Sequence, residues 1–185
     1  MTASGAGIGH NGGPSLAPGL SWRTHCWRAA RERLLPTLPI EVVRRRVARA
    51  AELGLDYKTY AGLRAQTGHD LVAFLFSSNA LRASAAAPQI APDRAARLAG
   101  LRDVQRIGLA IAPLTAEALN QPPLQRAHAA PGLLAAPRLQ RAHLRDILGP
   151  VPGDRVLLIG DQPLERDWCL HGRLAGYLPA EAFFG

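Results

Sequence analysis

The stretch GDRVLLIGDQPLERDW, residues 153–168, runs from an apolar segment into Gly160 and Asp161, and an acidic side chain at the end of a buried strand is well placed for chemistry. Open α/β sheets bind their ligands at the carboxyl ends of the strands. Comparable positions hold Ser77, Ser78 and Asn79 after LVAFLF, and Thr115 after RIGLAIAP. With Asp161 these residues form a candidate ligand-binding set. Asn79, Thr115 and Asp161 also suit the start of a helix or turn, so capping is the competing expectation. A different chemistry sits earlier in the chain. Between Arg23 and Arg64 ten basic residues stand against four acidic ones, whereas from Leu101 onward nine arginines face eight acids. The net charge of +8 is therefore concentrated near the front, which suggests a face for a polyanion such as a nucleic acid, with arginines that only solvate the surface as the alternative.

Other combinations carry little chemistry. GAGIGHNGG has the glycines of a phosphate loop without the preceding strand or the following Lys-Ser/Thr. Asp167, Cys169 and His171 alternate along one helix and do not face one another, and the six histidines lack ligand spacing. Two cysteines, Cys26 and Cys169, are too few for a disulfide framework, and Trp22, Trp27 and Trp168 read as core or interface anchors. No cofactor is expected.

The elements that must position these residues divide the chain into three parts. Residues 1–20 are rich in Gly, Ala, Ser and Pro, and such a composition buries too little apolar area to offset ordering, so a tail is expected. Residues 21–68 read as a basic helical segment: SWRTHCWRAARERLL, then LPIEVVRRRVARAAELG, then DYKTYAGLRAQTG with Asp56 as cap and Gly68 as stop. In the second helix Val43, Val47, Ala50 and Leu53 recur at helical spacing, leaving Arg44, Arg45 and Arg49 toward solvent. Residues 69–185 read as an α/β domain. Continuous apolar runs at 70–78, 106–113, 155–161 and 175–178 suit parallel strands covered on both faces, with helical stretches between them. The fold class is α/β, a small mostly parallel, Rossmann-like sheet preceded by the basic helices. LQRAH occurs at 124–128 and at 139–143, too short to count as a repeat. No apolar run approaches the roughly 20 residues that span a bilayer, and the first residues lack the pattern of a secretory signal. A cytoplasmic protein with no membrane partner is expected.

Two resemblances extend this reading. RAAELGLDYKTYAGLRA resembles the helix-turn-helix of bacterial repressors, with Ala50 at the crossing, Gly54 in the turn, and Tyr60 and Leu63 facing inward. It implies that Lys58, Thr59 and Arg64 face a duplex and that Arg44, Arg45 and Arg46 contact phosphates. Arg49 departs from the pattern, and an ordinary helical hairpin packed on the sheet is the alternative. VPGDRVLLIGDQPLERDWCLHGRLAGYLPA resembles the last motif segment of the haloacid dehalogenase superfamily, whose acids hold Mg²⁺. Carried over, that role falls on Asp161 with Glu165 or Asp167. VAFLFSSNAL falls where the family has its first strand, so that Leu75 and Ser77 occupy the two aspartate positions; FLFSSN read as the second motif is the alternative. Under either alignment the nucleophile is missing. The family's lysine is missing too, since the single lysine is Lys58, and Arg138 or Arg141 supplies at most its charge. The resemblance thus implies a sheet of this kind that has lost catalysis and holds Mg²⁺ at most weakly. An unrelated doubly wound sheet with a similar strand end is the alternative. The expected function is non-enzymatic binding, of nucleic acid through the basic helices, with a small-molecule hydrolase or ligand site around Asp161 as the alternative.

Overall fold

The computed structural model describes residues 38–185, so the stretches expected to be a tail and a first basic helix, with Cys26, Trp22 and Trp27, lie outside the described residues. Helix α1, Ile40–Glu52, carries Glu41 in its first turn and Arg49 in its last, matching the helix dipole at both ends. Gly54 turns the chain with φ +64°, a backbone that glycine adopts without strain. Helix α2, Tyr57–Thr67, is capped by Asp56, whose carboxylate accepts the Thr59 N–H at 3.0 Å, and it ends on Gly68 with φ 77°.

Five parallel strands follow: β1, Ala73–Ser77; β2, Gln105–Ala110; β3, Arg126–Ala129; β4, Val156–Gly160; and β5, Gly176–Pro179. Their order is β3-β2-β1-β4-β5. The chain builds outward from β1 through β2 to β3, then crosses back to lay β4 on the other side of β1. The order therefore reverses between β1 and β4, and that is where a ligand crevice opens in such sheets. The connecting helices are α3, Pro92–Ala99; α4, Ala116–Leu119; α5, Pro137–Leu148; α6, Arg166–Gly172; and α7, Ala180–Phe184. The protein is thus α/β with an entirely parallel sheet.

Alternation along β1 feeds two cores. Phe74 and Phe76 join Ala50, Leu53, Tyr60, Leu98 and Phe183 on one face, while Ala73 and Leu75 join Leu144, Ile147 and Trp168 on the other. Each such fully buried Leu or Phe contributes about 1.5–3 kcal/mol relative to leaving it in water. Every residue of β1 and β4 is buried, whereas the rim strands β3 and β5 are only partly so.

Two expectations are corrected. Val47 is 47% exposed, and Arg49 turns inward instead. Its guanidinium donates to Asp70 and Glu52 and to the carbonyls of Leu71, Arg102 and Asp103, so it clamps α1 to the loops that enter β1 and β2. Glu41–Gly185 forms one compact unit. Strand β3 went unread: Arg126–Ala129 is short and has little β propensity. It includes most of the first LQRAH copy, whereas the second lies in α5. Among the described residues no helix is long and apolar enough to cross a membrane.

Candidate functional site

At the reversal point the chain leaves β4 through Gly160, makes a short 3-10 turn over Pro163–Glu165, and enters α6. This turn folds Glu165 back over the strand ends, where it is fully buried. A buried carboxylate costs several kcal/mol unless its lone pairs are met. Here they are. Oε2 accepts from Ser77 Oγ at 2.9 Å, from the Asp161 N–H at 2.7 Å and from the Gln162 N–H at 3.3 Å, and Oε1 accepts from Asn79 Nδ2 at 2.8 Å. Gly160 makes this approach feasible, since a Cβ there would collide with Glu165 Oε2 and with the Tyr177 ring. Burial raises the Tyr177 pKa, and the neighbouring Glu165 charge pushes the same way.

The expected ligand set separates into different jobs. Ser77 is fully buried; its hydroxyl donates to Glu165 and accepts the Ala80 N–H at 3.1 Å, so no substrate reaches it. Ser78 Oγ accepts the Ile111 N–H at 3.2 Å and ties the exits of β1 and β2 together. Thr115 is a cap, accepting the Ala118 N–H at 3.3 Å at the start of α4. Asn79 is occupied by Glu165 rather than by capping, and Asp161 is exposed and contributes its backbone N–H, not its side chain, to the cluster.

The acids of the metal expectation are dispersed in the same way. Glu165 spends its oxygens on protein donors, while Asp161 and Asp167 are exposed on either side of it. Among the described residues no three His, Cys, Asp or Glu side chains gather as a metal site. Leu75 lies in the middle of β1 inside the second core, so it is not at the strand exit; the alternate residues that meet Glu165 are Ser77 and Asn79. Arg141 donates to the His171 carbonyl at the end of α6, away from these strand ends. Cys169 is free, and burial pushes its thiol up to about 11, which leaves it protonated and unreactive at neutral pH.

Sequence reading missed Arg94. In α3 its side chain is 9% exposed, with its guanidinium 4.2 Å from the Phe184 ring centroid and Nη1 donating to the Ala180 carbonyl at 3.4 Å. Nε is 3.3 Å from Asp93 yet lacks hydrogen-bond geometry, so this is a Coulomb contact only. Burial lowers its pKa and Arg82 acts in the same sense, against Asp93 and Asp161. With Asn79, Arg82, Asp161 and Glu181 it lines a pocket of about 370 Å³. Nothing in the local pattern of APDRAARLAG marks this arginine, because its burial depends on α7 arriving from the far end of the chain.

The basic helices form a packed hairpin. Ala50, Leu53, Leu55 and Tyr60 are buried, and the Tyr60 hydroxyl donates to Asp70 at 2.8 Å. Arg44 and Arg45 are exposed, with Arg44 paired to Glu41 at 2.8 Å on the surface. Arg64 leans toward Asp70, at 3.7 Å, instead of facing outward, and Thr59 is half-buried behind its cap while Lys58 is exposed. Arg45, Arg46, Arg49 and Arg64 together line a cleft of about 310 Å³ that contains one carboxylate, Asp70. Comparison of the chain with family models, with curated proteins and with solved structures gives no match.

Proposed function

We propose that the protein is a non-enzymatic nucleic-acid-binding protein, in which the arginines of α1 and α2 contact the phosphate backbone and the sheet is a catalytically silent relative of the haloacid dehalogenase type. The observation that carries this reading is the cleft of Arg45, Arg46, Arg49 and Arg64 around Asp70, where guanidinium charge exceeds carboxylate charge. Guanidinium forks match the oxygens of phosphate in a bidentate geometry. With Arg64 turned to Asp70 and Thr59 half-buried, backbone contact is favoured over base reading. The silence of the strand-end site is supported by Ser77 and Asn79, which bring hydroxyl and amide donors to Glu165 where bound Mg²⁺ would need acceptors.

Gel shifts with random duplex over a salt series test it. The expected Kd is micromolar or weaker, rising steeply with salt as counterions are released. Arg44→Gln, Arg45→Gln and Arg46→Gln together should weaken binding to every sequence and flatten the salt slope, by up to about 0.9 for each phosphate that is no longer neutralised. Binding that ignores the triple change would remove this function. Lys58→Ala or Thr59→Ala should alter sequence preference only where the hairpin reads bases. A second reading, a small-ligand site at the strand ends, is favoured by Arg94, a buried cation whose Nε has no hydrogen-bond acceptor beside the pocket of about 370 Å³.

A further inference from the structure

The amino edge of the sheet holds a larger cleft, about 470 Å³, between the loop that feeds β4 and the loop that feeds β5. Three guanidiniums line it: Arg141 and Arg145 from α5, and Arg173 from the end of α6. No carboxylate belongs to its wall, and among the described residues none of the three makes an ion pair. The acids adjacent in sequence are Asp146 and Asp154, and neither lines it; Asp154 stands 3.7 Å from His69. Like charges gathered in one concavity repel one another and focus a positive potential into it, a state that an anion relieves.

The cleft is also built stiffly. Gly153 and Gly172 bring the two loops so close that a Cβ on Gly153 would lie 2.6 Å from the Gly172 carbonyl oxygen. Pro150 and Pro152 fix the near wall. Arg141 is held by its bond to the His171 carbonyl at 3.0 Å, which leaves its terminal nitrogens available. Arg173 has a left-handed backbone, φ 52°, where glycine is the favoured residue. From that position Arg173 lines the cleft together with the other two guanidiniums.

We propose that this cleft binds the phosphate chain of a small, multiply charged ligand, separately from the nucleic-acid contacts of α1. Three guanidiniums suit several oxyanion groups in a row, and a cleft of this size accommodates a small molecule.

The test is calorimetric titration of the full-length protein with inorganic tripolyphosphate at low salt. Saturable binding is expected. Arg173→Gly should weaken it about tenfold or more while the thermal midpoint is maintained, because glycine suits the left-handed backbone; Arg145→Gln should weaken it similarly. The α1 triple Gln variant should keep the saturable site that Arg173→Gly and Arg145→Gln weaken. Random duplex provides the other arm, and its binding should be insensitive to Arg173→Gly. The proposal is overturned by absence of saturable binding, by unchanged affinity in Arg173→Gly and Arg145→Gln, by loss of tripolyphosphate binding in the α1 variant, or by a defect of Arg173→Gly confined to duplex.

Discussion

At the carboxyl edge of the sheet Glu165 is met by Ser77, Asn79 and two backbone N–H groups, whereas at the amino edge Arg141, Arg145 and Arg173 share a cleft that contributes no acid. The first region holds its charge inside the fold. The second presents charge in a cleft that no carboxylate lines. Buried polar groups that satisfy one another rigidify a structure, while an uncompensated cluster of one sign is a standing attraction for a ligand. Position at a strand end is thus a weaker guide to function in this molecule than the balance of donors, acceptors and charge.

The comparison breaks most readily at Glu165. Glu165→Ala strands the Ser77 hydroxyl, the Asn79 amide and the neighbouring N–H groups in the interior, and at about 1–3 kcal/mol for each unsatisfied group urea denaturation should show a loss of about 3–5 kcal/mol. A loss below about 1 kcal/mol would mean that the carboxylate is not the hub of the strand ends. Gly160→Ala is next, since its methyl group must displace Glu165 or Tyr177; overpacking of this kind should cost about 1–3 kcal/mol in the same measurement. At the other edge the sign reverses. Arg173→Gly should leave stability unchanged or raise it by up to about 1 kcal/mol, by relieving the left-handed backbone. A clear destabilisation there would show that the guanidinium is structural and erase the contrast. The smallest effect is expected from Asp161→Asn, an exposed side chain without a hydrogen-bond partner, at about 0.5 kcal/mol or less by thermal melting. Mg²⁺-dependent hydrolysis of phosphate esters should not differ between this variant and the unaltered protein, and turnover abolished by Asp161→Asn would reopen the catalytic reading.

Much of the fold was legible because it rests on local chemistry. Apolar runs mark β1, β2 and β4, and Asp56 and Gly68 bound α2 through a cap and a left-handed turn that any sequence context would favour. β3 was illegible for the opposite reason. LQRAH enters a strand at 124–128 and a helix at 139–143, so the pentapeptide does not choose; pairing with β2 decides one copy, and packing of Gln140 and Leu144 against the sheet layer decides the stretch around the other. The site was half legible. Ser77, Asn79, Asp161 and Glu165 were named and do meet, but spacing along the chain gives no sign that a carboxylate would turn inward onto a hydroxyl and an amide. Arg49 shows the same limit. Its place on the helix suggested solvent, and its partners Asp70, Leu71, Arg102 and Asp103 come from distant parts of the chain.

The rim of the sheet has a consequence for self-association. A parallel sheet ends in two strands with one unpaired row of amides and carbonyls each, a template on which another chain can add. β3 and β5 are only four residues long, β3 opens with Arg126, and β5 closes with Pro179, which has no N–H to offer. Short length, charge and a missing donor are features that blunt an edge against strand addition. The most hydrophobic strands, β1 and β4, are paired on both sides, so the segments best able to seed fibrils are exposed only when the sheet itself comes apart.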